Sequence, residues 1–185
     1  LDRNVVSVFA KAKMIYEDAK YHNAVFVGYD SNGVPRHVHK RGTYTKGEPF
    51  KGNVDACDPR YSFHWIGQSD TVYVFEAPID LLSFISLYQK DWQEHSYVAL
   101  CGVAEHALMQ LLSDAPHVQQ VALCLDNDKA GIQTRKRIKQ SLSERGYQDV
   151  FPLFSRLKDW NEDLQAMAKP PPELVEGQGM SMQMR

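Results

Sequence analysis

Between Thr71 and Phe154 the chain alternates short apolar runs with longer amphipathic stretches, and no other feature limits its fold as strongly. Thr71 to Phe75, Ser96 to Leu100, Val121 to Leu125 and Val150 to Phe154 read as strands. Between them, Ile79, Leu81, Leu82, Phe84 and Ile85 support one helix, and Ala104, Leu108, Leu111 and Leu112 a second. Ile132, Ile138 and Leu142 support a third, with polar and basic residues between them and Gly146 suited to its C-terminal cap. The run at 121–125 is apolar throughout, as a strand covered on both faces requires. This β-α-β-α-β-α-β order predicts an α/β fold: a parallel four-stranded sheet flanked by helices.

Residues 1–70 have a different texture, rich in His, Gly, Lys and aromatics. Val5 to Lys13 reads as a short helix and Ala24 to Tyr29 as a strand. Asp30-Ser31-Asn32-Gly33 is a turn, from which Val34 to Arg41 returns as the partner strand, with Pro35 suggesting an edge position. The expected organisation is a small antiparallel β-containing subdomain over 1–70 and an α/β domain over 71–168. A tail with Pro170-Pro171-Pro172 follows over 169–185 and is expected to be disordered.

Composition narrows the functional classes. The formal charge is −2, so contact with nucleic acid has to come from a local patch rather than from overall charge. Cys57, Cys101 and Cys124 are far apart and form no C-x-x-C pair, which argues against a zinc ribbon or a disulfide scaffold and for a reducing, cytoplasmic setting. Cys101 and Cys124 lie in apolar runs and are expected to be buried, inert thiols. No apolar run is long enough to span a bilayer and no signal peptide is visible, so no membrane partner is expected. The first residue is Leu rather than Met, which predicts a piece of a longer polypeptide.

In open parallel sheets, ligands bind at the carboxyl ends of the strands. The first strand ends in Glu76, the third in Asp126-Asn127-Asp128, and the fourth is followed by Lys158-Asp159-Trp160-Asn161-Glu162-Asp163, whereas the second ends in the uncharged Cys101-Gly102. Asp126 and Asp128 are two residues apart and share a side if the extended backbone persists. Carboxylates held together repel unless a cation sits between them, and an oxygen-rich site suits Mg²⁺ or Mn²⁺. Glu76 can complete the shell or act as general acid or base. The competing reading is that Asp126 or Asp128 simply caps the next helix.

Three motifs together resemble the Toprim domain shared by bacterial primases, type IA and type II topoisomerases and some nucleases. They are Glu76-Ala77-Pro78-Ile79-Asp80, Leu125-Asp126-Asn127-Asp128-Lys129-Ala130-Gly131 and Lys158-Asp159-Trp160-Asn161-Glu162, in the family's order. The D-x-D-x-A-G form is primase-like, and the whole chain is similar to Toprim-like proteins of bacterial plasmids and other mobile elements. The resemblance implies Glu76 and Asp80 as catalytic residues and Glu76, Asp126, Asp128 and Asp159 as Mg²⁺ ligands. Two departures stand out: Ala77-Pro78 where the family commonly has Gly, and Asn161 where primases often have a second Asp.

Outside these motifs, Arg36, Lys40, Arg41, Lys46 and Lys51 form a basic stretch with Tyr44 and Phe50, a combination that can hold a phosphate backbone and stack bases. Its position before the core matches the basic subdomain that guides template in bacterial primases. His37 and His39 share a strand face, read as exposed rather than as a metal pair. Arg135, Lys136, Arg137 and Lys139 read as a solvated helix face, and Trp160 is expected to pack beneath the third acidic motif.

The leading expectation is a Mg²⁺-dependent, primase-like nucleotidyltransferase of mobile-element replication. It would use DNA or RNA and nucleoside triphosphates and work within a longer parent polypeptide. A Toprim nuclease is the second reading and a non-catalytic nucleic-acid-binding module the third. A complete topoisomerase is disfavoured, because no Tyr-bearing breakage domain is present.

Overall fold

A computed structural model describes residues 1–43, 50–102 and 104–168. The expected tail at 169–185, and Tyr44 and Lys46 of the basic stretch, lie outside the described residues.

The chain forms two sheets. In the first, β1 (Ile15–Glu17), β2 (Ala24–Tyr29), β3 (Pro35–Arg41) and β4 (Lys51–Asn53) lie side by side in chain order, each antiparallel to its neighbour. Pro35 was expected to mark an edge strand, but β3 is internal. The proline is tolerated because it is the first residue of β3, while β4 pairs only with His39–Arg41 at the other end.

The second sheet holds β5 (His64–Trp65), β6 (Thr71–Phe75), β7 (Ser96–Ala99), β8 (Gln120–Leu123) and β9 (Asp149–Pro152), in the order β5-β7-β6-β8-β9. The four longer strands are parallel, as the alternation of runs predicts. The two-residue β5 is an addition: it pairs antiparallel to β7 and comes from the region upstream of the α/β alternation.

Period-two alternation puts apolar residues of β6, β7 and β8 on both faces of the second sheet. Val72, Val74, Val98, Val121 and Leu123 face a core built with α3 (His106–Asp114) and α4 (Lys129–Glu144). Phe75, Tyr97, Ala99 and Ala122 face the opposite core with α2 (Pro78–Leu87), which also takes in Trp160 of α5 (Trp160–Ala168). That second core continues into the N-terminal region. Phe9 of α1 (Arg3–Lys11) stacks on Trp92 at 5.4 Å and meets Phe63 at 5.2 Å, and Phe26 of β2 meets Phe63 at 5.5 Å. One apolar cluster therefore joins the two sheets.

The helix α4 ends in a Schellman motif. The Tyr147 N–H donates to the Leu142 carbonyl and the Gly146 N–H to Ser143, while Gly146 takes φ +91°. A glycine was expected there, and the positive φ is what requires it.

The helix α2 leaves β6 toward β7 on one face, and α4 leaves β8 toward β9 on the other. The neighbours β6 and β8 thus send their connections in opposite directions, which opens a crevice at their carboxyl ends. Among the described residues, no helix is long and apolar enough to cross a membrane.

Candidate functional site

A cavity of about 630 Å³ opens at that crevice. Its acidic residues are Glu76, Asp80, Asp126 and Asp159; Arg41 and Lys51 line it from β3 and β4, and Lys158 lies beside Asp159. His39, Asn53 and Cys101 also line it. The cavity therefore lies between the acidic ends of the second sheet and the last strands of the first.

Glu76 follows β6 directly. Its carbonyl accepts from the Cys101 N–H at 3.0 Å, which fixes the β6 end against the β7 end. Asp126 lies beyond β8, on backbone still tied to β6 where the Cys124 N–H donates to the Val74 carbonyl at 2.8 Å. Glu76 Oε1 and Asp126 Oδ1 are both sealed from solvent and have no hydrogen-bond partner. A buried carboxylate oxygen without a donor is costly, and a cation can offset that cost.

Burial, and then the Asp128 charge, push the Glu76 carboxyl above its ordinary value, while a bond from the Asp126 backbone pulls the other way. Burial, Glu76 and Asp159 push Asp126 up to about 7. Asp80 also rises to about 7, through burial and the charges of Asp159 and Asp126, although its Oδ1 accepts from the Asn161 N–H at 3.2 Å.

Asp128 and Asp159 divide their oxygens. Asp128 Oδ1 accepts from the Gly131 N–H at 2.9 Å and caps α4, so the capping reading holds for this residue. Asp159 Oδ1 accepts from the Glu162 N–H at 2.7 Å and caps α5. Each keeps a second oxygen for other use. Among the described residues, no three His, Cys, Asp or Glu side chains form a ready-made metal cage. Mg²⁺ does not need one: it keeps several waters and takes one or two carboxylates together with substrate phosphates. Glu76 and Asp126, which both line the cavity, supply carboxylates of that kind.

Three further residues build this edge. Arg135 was read as solvated, but only 7% of it is exposed. Its guanidinium donates to the Leu125 carbonyl at 3.1 Å and the Asp126 carbonyl at 2.7 Å, and it stacks on Phe154 at 4.8 Å. Asn127, the spacer of the D-x-D, donates to the Ser155 and Leu157 carbonyls at 2.9 and 2.8 Å and so ties the β8 end to the loop carrying Asp159. Gly131 lets α4 approach: a Cβ there would lie 2.1 Å from the Asp126 carbonyl oxygen and 2.9 Å from Glu76 Oε1.

Trp160 does pack beneath the third motif, 2% exposed, with its indole N–H donating to the Cys124 carbonyl at 2.9 Å. Asn161 does not line the cavity; its N–H serves Asp80 and its Oδ1 faces Ser83 at 3.5 Å.

Of the basic candidates among the described residues, only Arg41 and Lys51 line the cavity. Arg36 pairs with Asp30 at 2.7 Å and Lys40 with Asp18 at 2.9 Å. The alternation of β3 explains the division, since 37, 39 and 41 share one face and 36 and 40 the other. The two histidines expected to be exposed are buried, His37 at 1% and His39 at 8%, because their face turns inward. Cys101 and Cys124 are buried free thiols, as expected.

Two predictions arise here. Arg135→Ala leaves two buried carbonyls without their donor and should cost about 2–4 kcal/mol in urea unfolding. Asp80→Asn tests the carboxyl raised to about 7. An acid whose folded value lies above its unfolded value contributes stability at low pH and loses it as pH rises from about 4 to about 7. The asparagine variant should therefore melt above the wild type at pH 8, by roughly 1–2 kcal/mol, and the two should converge toward pH 4.

Comparison with known proteins bears on the family and the fold. The Toprim-like family matches residues 73–164, and a protein of unknown function (DUF3991) matches residues 1–69. The chain is 23% identical over 192 residues to the uncharacterized protein pXO2-78 of Bacillus anthracis, covering 91% of this chain and 55% of that protein. It is 29% identical over 100 residues to an uncharacterized protein of Mycoplasma pneumoniae, covering 54% and 45%. The chain thus spans about half the length of the curated relatives it matches. Among solved structures, the primase fragment of the bacteriophage T7 primase-helicase protein superposes with a TM-score of 0.64 at 19% identity, covering 87% of this chain and 66% of that one. A DNA primase domain from Pseudomonas aeruginosa superposes with a TM-score of 0.56 at 16% identity, covering 90% and 56%. At these identities the likeness carries the fold.

Proposed function

The chain belongs to the Toprim-like family through residues 73–164, and on that premise we propose that it is the metal-dependent core of a primase-like nucleotidyltransferase working on DNA or RNA within a longer polypeptide. The observation that carries the reading is the pair of carboxylates, Glu76 and Asp126, each with one buried oxygen lacking a donor, that line a cavity shared with Arg41, Lys51 and Lys158. Carboxylates alone would repel a triphosphate. Carboxylates that hold Mg²⁺, in a cavity shared with Arg41, Lys51 and Lys158, can accept one.

When bound, Mg²⁺, or Mn²⁺ in its place, would neutralise phosphate charge and orient the phosphates. Asp126 and Glu76 would hold it, with the second oxygens of Asp128 and Asp159 available for its waters. Arg41, Lys51 and Lys158 would take the outer phosphate oxygens. Glu76 is the proton acceptor of this reading, because burial raises the affinity of its carboxyl for a proton.

The test is incubation of the parent polypeptide with single-stranded template, Mg²⁺ and nucleoside triphosphates. Short oligonucleotides made only with triphosphates are the expected result. Strand cleavage without triphosphates would replace the proposal with the nuclease reading. Metal binding with neither product would leave a binding module.

A further inference from the structure

We propose that His39 is a substrate-binding residue that accepts a hydrogen bond from a sugar hydroxyl of the nucleotide held in the cavity. The inference rests on the nucleotide reading above and adds to it a residue outside the acidic motifs.

The Cys101 backbone is left-handed, with φ +52°, and its carbonyl accepts from Asn53 Nδ2 at 3.0 Å. A carbonyl can only accept, so the amide NH₂ of Asn53 must point there and its Oδ1 must point the other way. That Oδ1 lies 2.8 Å from His39 Nδ1. An amide oxygen also only accepts, so His39 Nδ1 must carry the proton. In the neutral ring Nε2 is then a bare lone pair, and Nε2 has no hydrogen bond among the described residues.

His39 lines the cavity beside Arg41 and Lys51 and shares it with Glu76 and Asp126. Burial, together with Arg41 and Lys51, disfavours protonation of the ring, although the Asn53 bond favours it. A neutral acceptor among cations and carboxylates is matched to a neutral donor. The sugar hydroxyls are the neutral donors nearest the phosphates of a nucleotide. His37, on the same face of β3, cannot take this role: it is 1% exposed and does not line the cavity.

The experiment compares ATP, 2′-deoxy-ATP and 3′-deoxy-ATP by calorimetry in Mg²⁺, on the wild type and on His39→Phe. The ring of His39 packs 6.3 Å from Phe26, so phenylalanine preserves an aromatic side chain while removing the nitrogens. The wild type should bind one deoxy analogue about tenfold more weakly than ATP, the value of one neutral hydrogen bond. His39→Phe should bind ATP about tenfold more weakly and lose the difference between ATP and that analogue. Equal binding of all three by the wild type, or a difference that survives in the variant, would overturn the role of His39 while leaving the nucleotide reading intact. No ATP binding by the wild type would overturn both. Nitrogen-15 NMR of histidine-labelled wild type needs no variant. It should report the Nδ1–H tautomer of His39 and a change at Nε2 on ATP addition, and an Nε2–H tautomer would contradict the proposal.

Discussion

Asp126→Asn should reduce metal-dependent oligonucleotide synthesis by about 100-fold or more while making the metal-free protein more stable at pH 8. The two effects share one cause. Asp126 Oδ1 is sealed without a donor, and its carboxyl is pushed up to about 7 by burial and by Glu76 and Asp159. Above pH 7 the metal-free fold must carry that charge, whereas the unfolded chain carries it in water. The amide removes the charge at almost constant shape, so stability rises. It also removes an anionic oxygen needed for Mg²⁺, whose contribution to transition-state charge is several kcal/mol, at about tenfold in rate per 1.4 kcal/mol. Thermal melts with and without Mg²⁺ check both halves. The wild type should gain more from Mg²⁺ than the variant, and the variant should lead in its absence. A simple loss of fold would lower stability in both conditions, so it is distinguishable from loss of the site.

Trp160→Ala should be the most destabilising single substitution near the site, at about 3–5 kcal/mol. The indole is 2% exposed and meets Phe84 edge-to-face at 4.9 Å. Its N–H also satisfies the buried Cys124 carbonyl, two residues before Asp126. Truncation opens a cavity under α5 and leaves that carbonyl unpaired. For a chain of this size the melting temperature should fall by roughly 10 °C. Trp160→Phe keeps an aromatic ring but loses the hydrogen bond and part of the buried bulk, so it should cost about 2–3 kcal/mol, less than the alanine. Because α5 begins at Trp160 and is capped by Asp159, Trp160→Ala should also weaken metal affinity, whereas Trp160→Phe should not.

The parts of this architecture that repeat regularly were legible in the sequence. Thr71–Phe75 is read with the bounds it has, because a turn and a carboxylate bracket a clean apolar run. The apolar run at 121–125 overshoots β8, which ends at Leu123, because Cys124 and Leu125 stay buried after the ladder to β9 has ended. The two-residue β5 has no pattern to read, and only its pairing with β7 makes it a strand. The burial of His37 and His39 depends on which face of β3 turns inward, a fact of packing between the two sheets rather than of local sequence.

Arg135 is the instructive miss. Its neighbours Lys136 and Arg137 made the run look solvated, yet Gly131, Arg135, Ile138 and Leu142 fall at helical spacing on one buried face of α4. That periodicity was available and marks Arg135 as facing the sheet. Asn127 gave no comparable signal, since its partners at 155–158 are remote in sequence.

Titration of Mg²⁺ into metal-free wild type and Asp126→Asn by calorimetry tests the central claim most directly, because it reads the carboxylate pair without presuming a reaction. The wild type should bind with saturable heat, and Asp126→Asn should give none under the same conditions. Equal binding by the two proteins would contradict the assignment of the metal to Glu76 and Asp126.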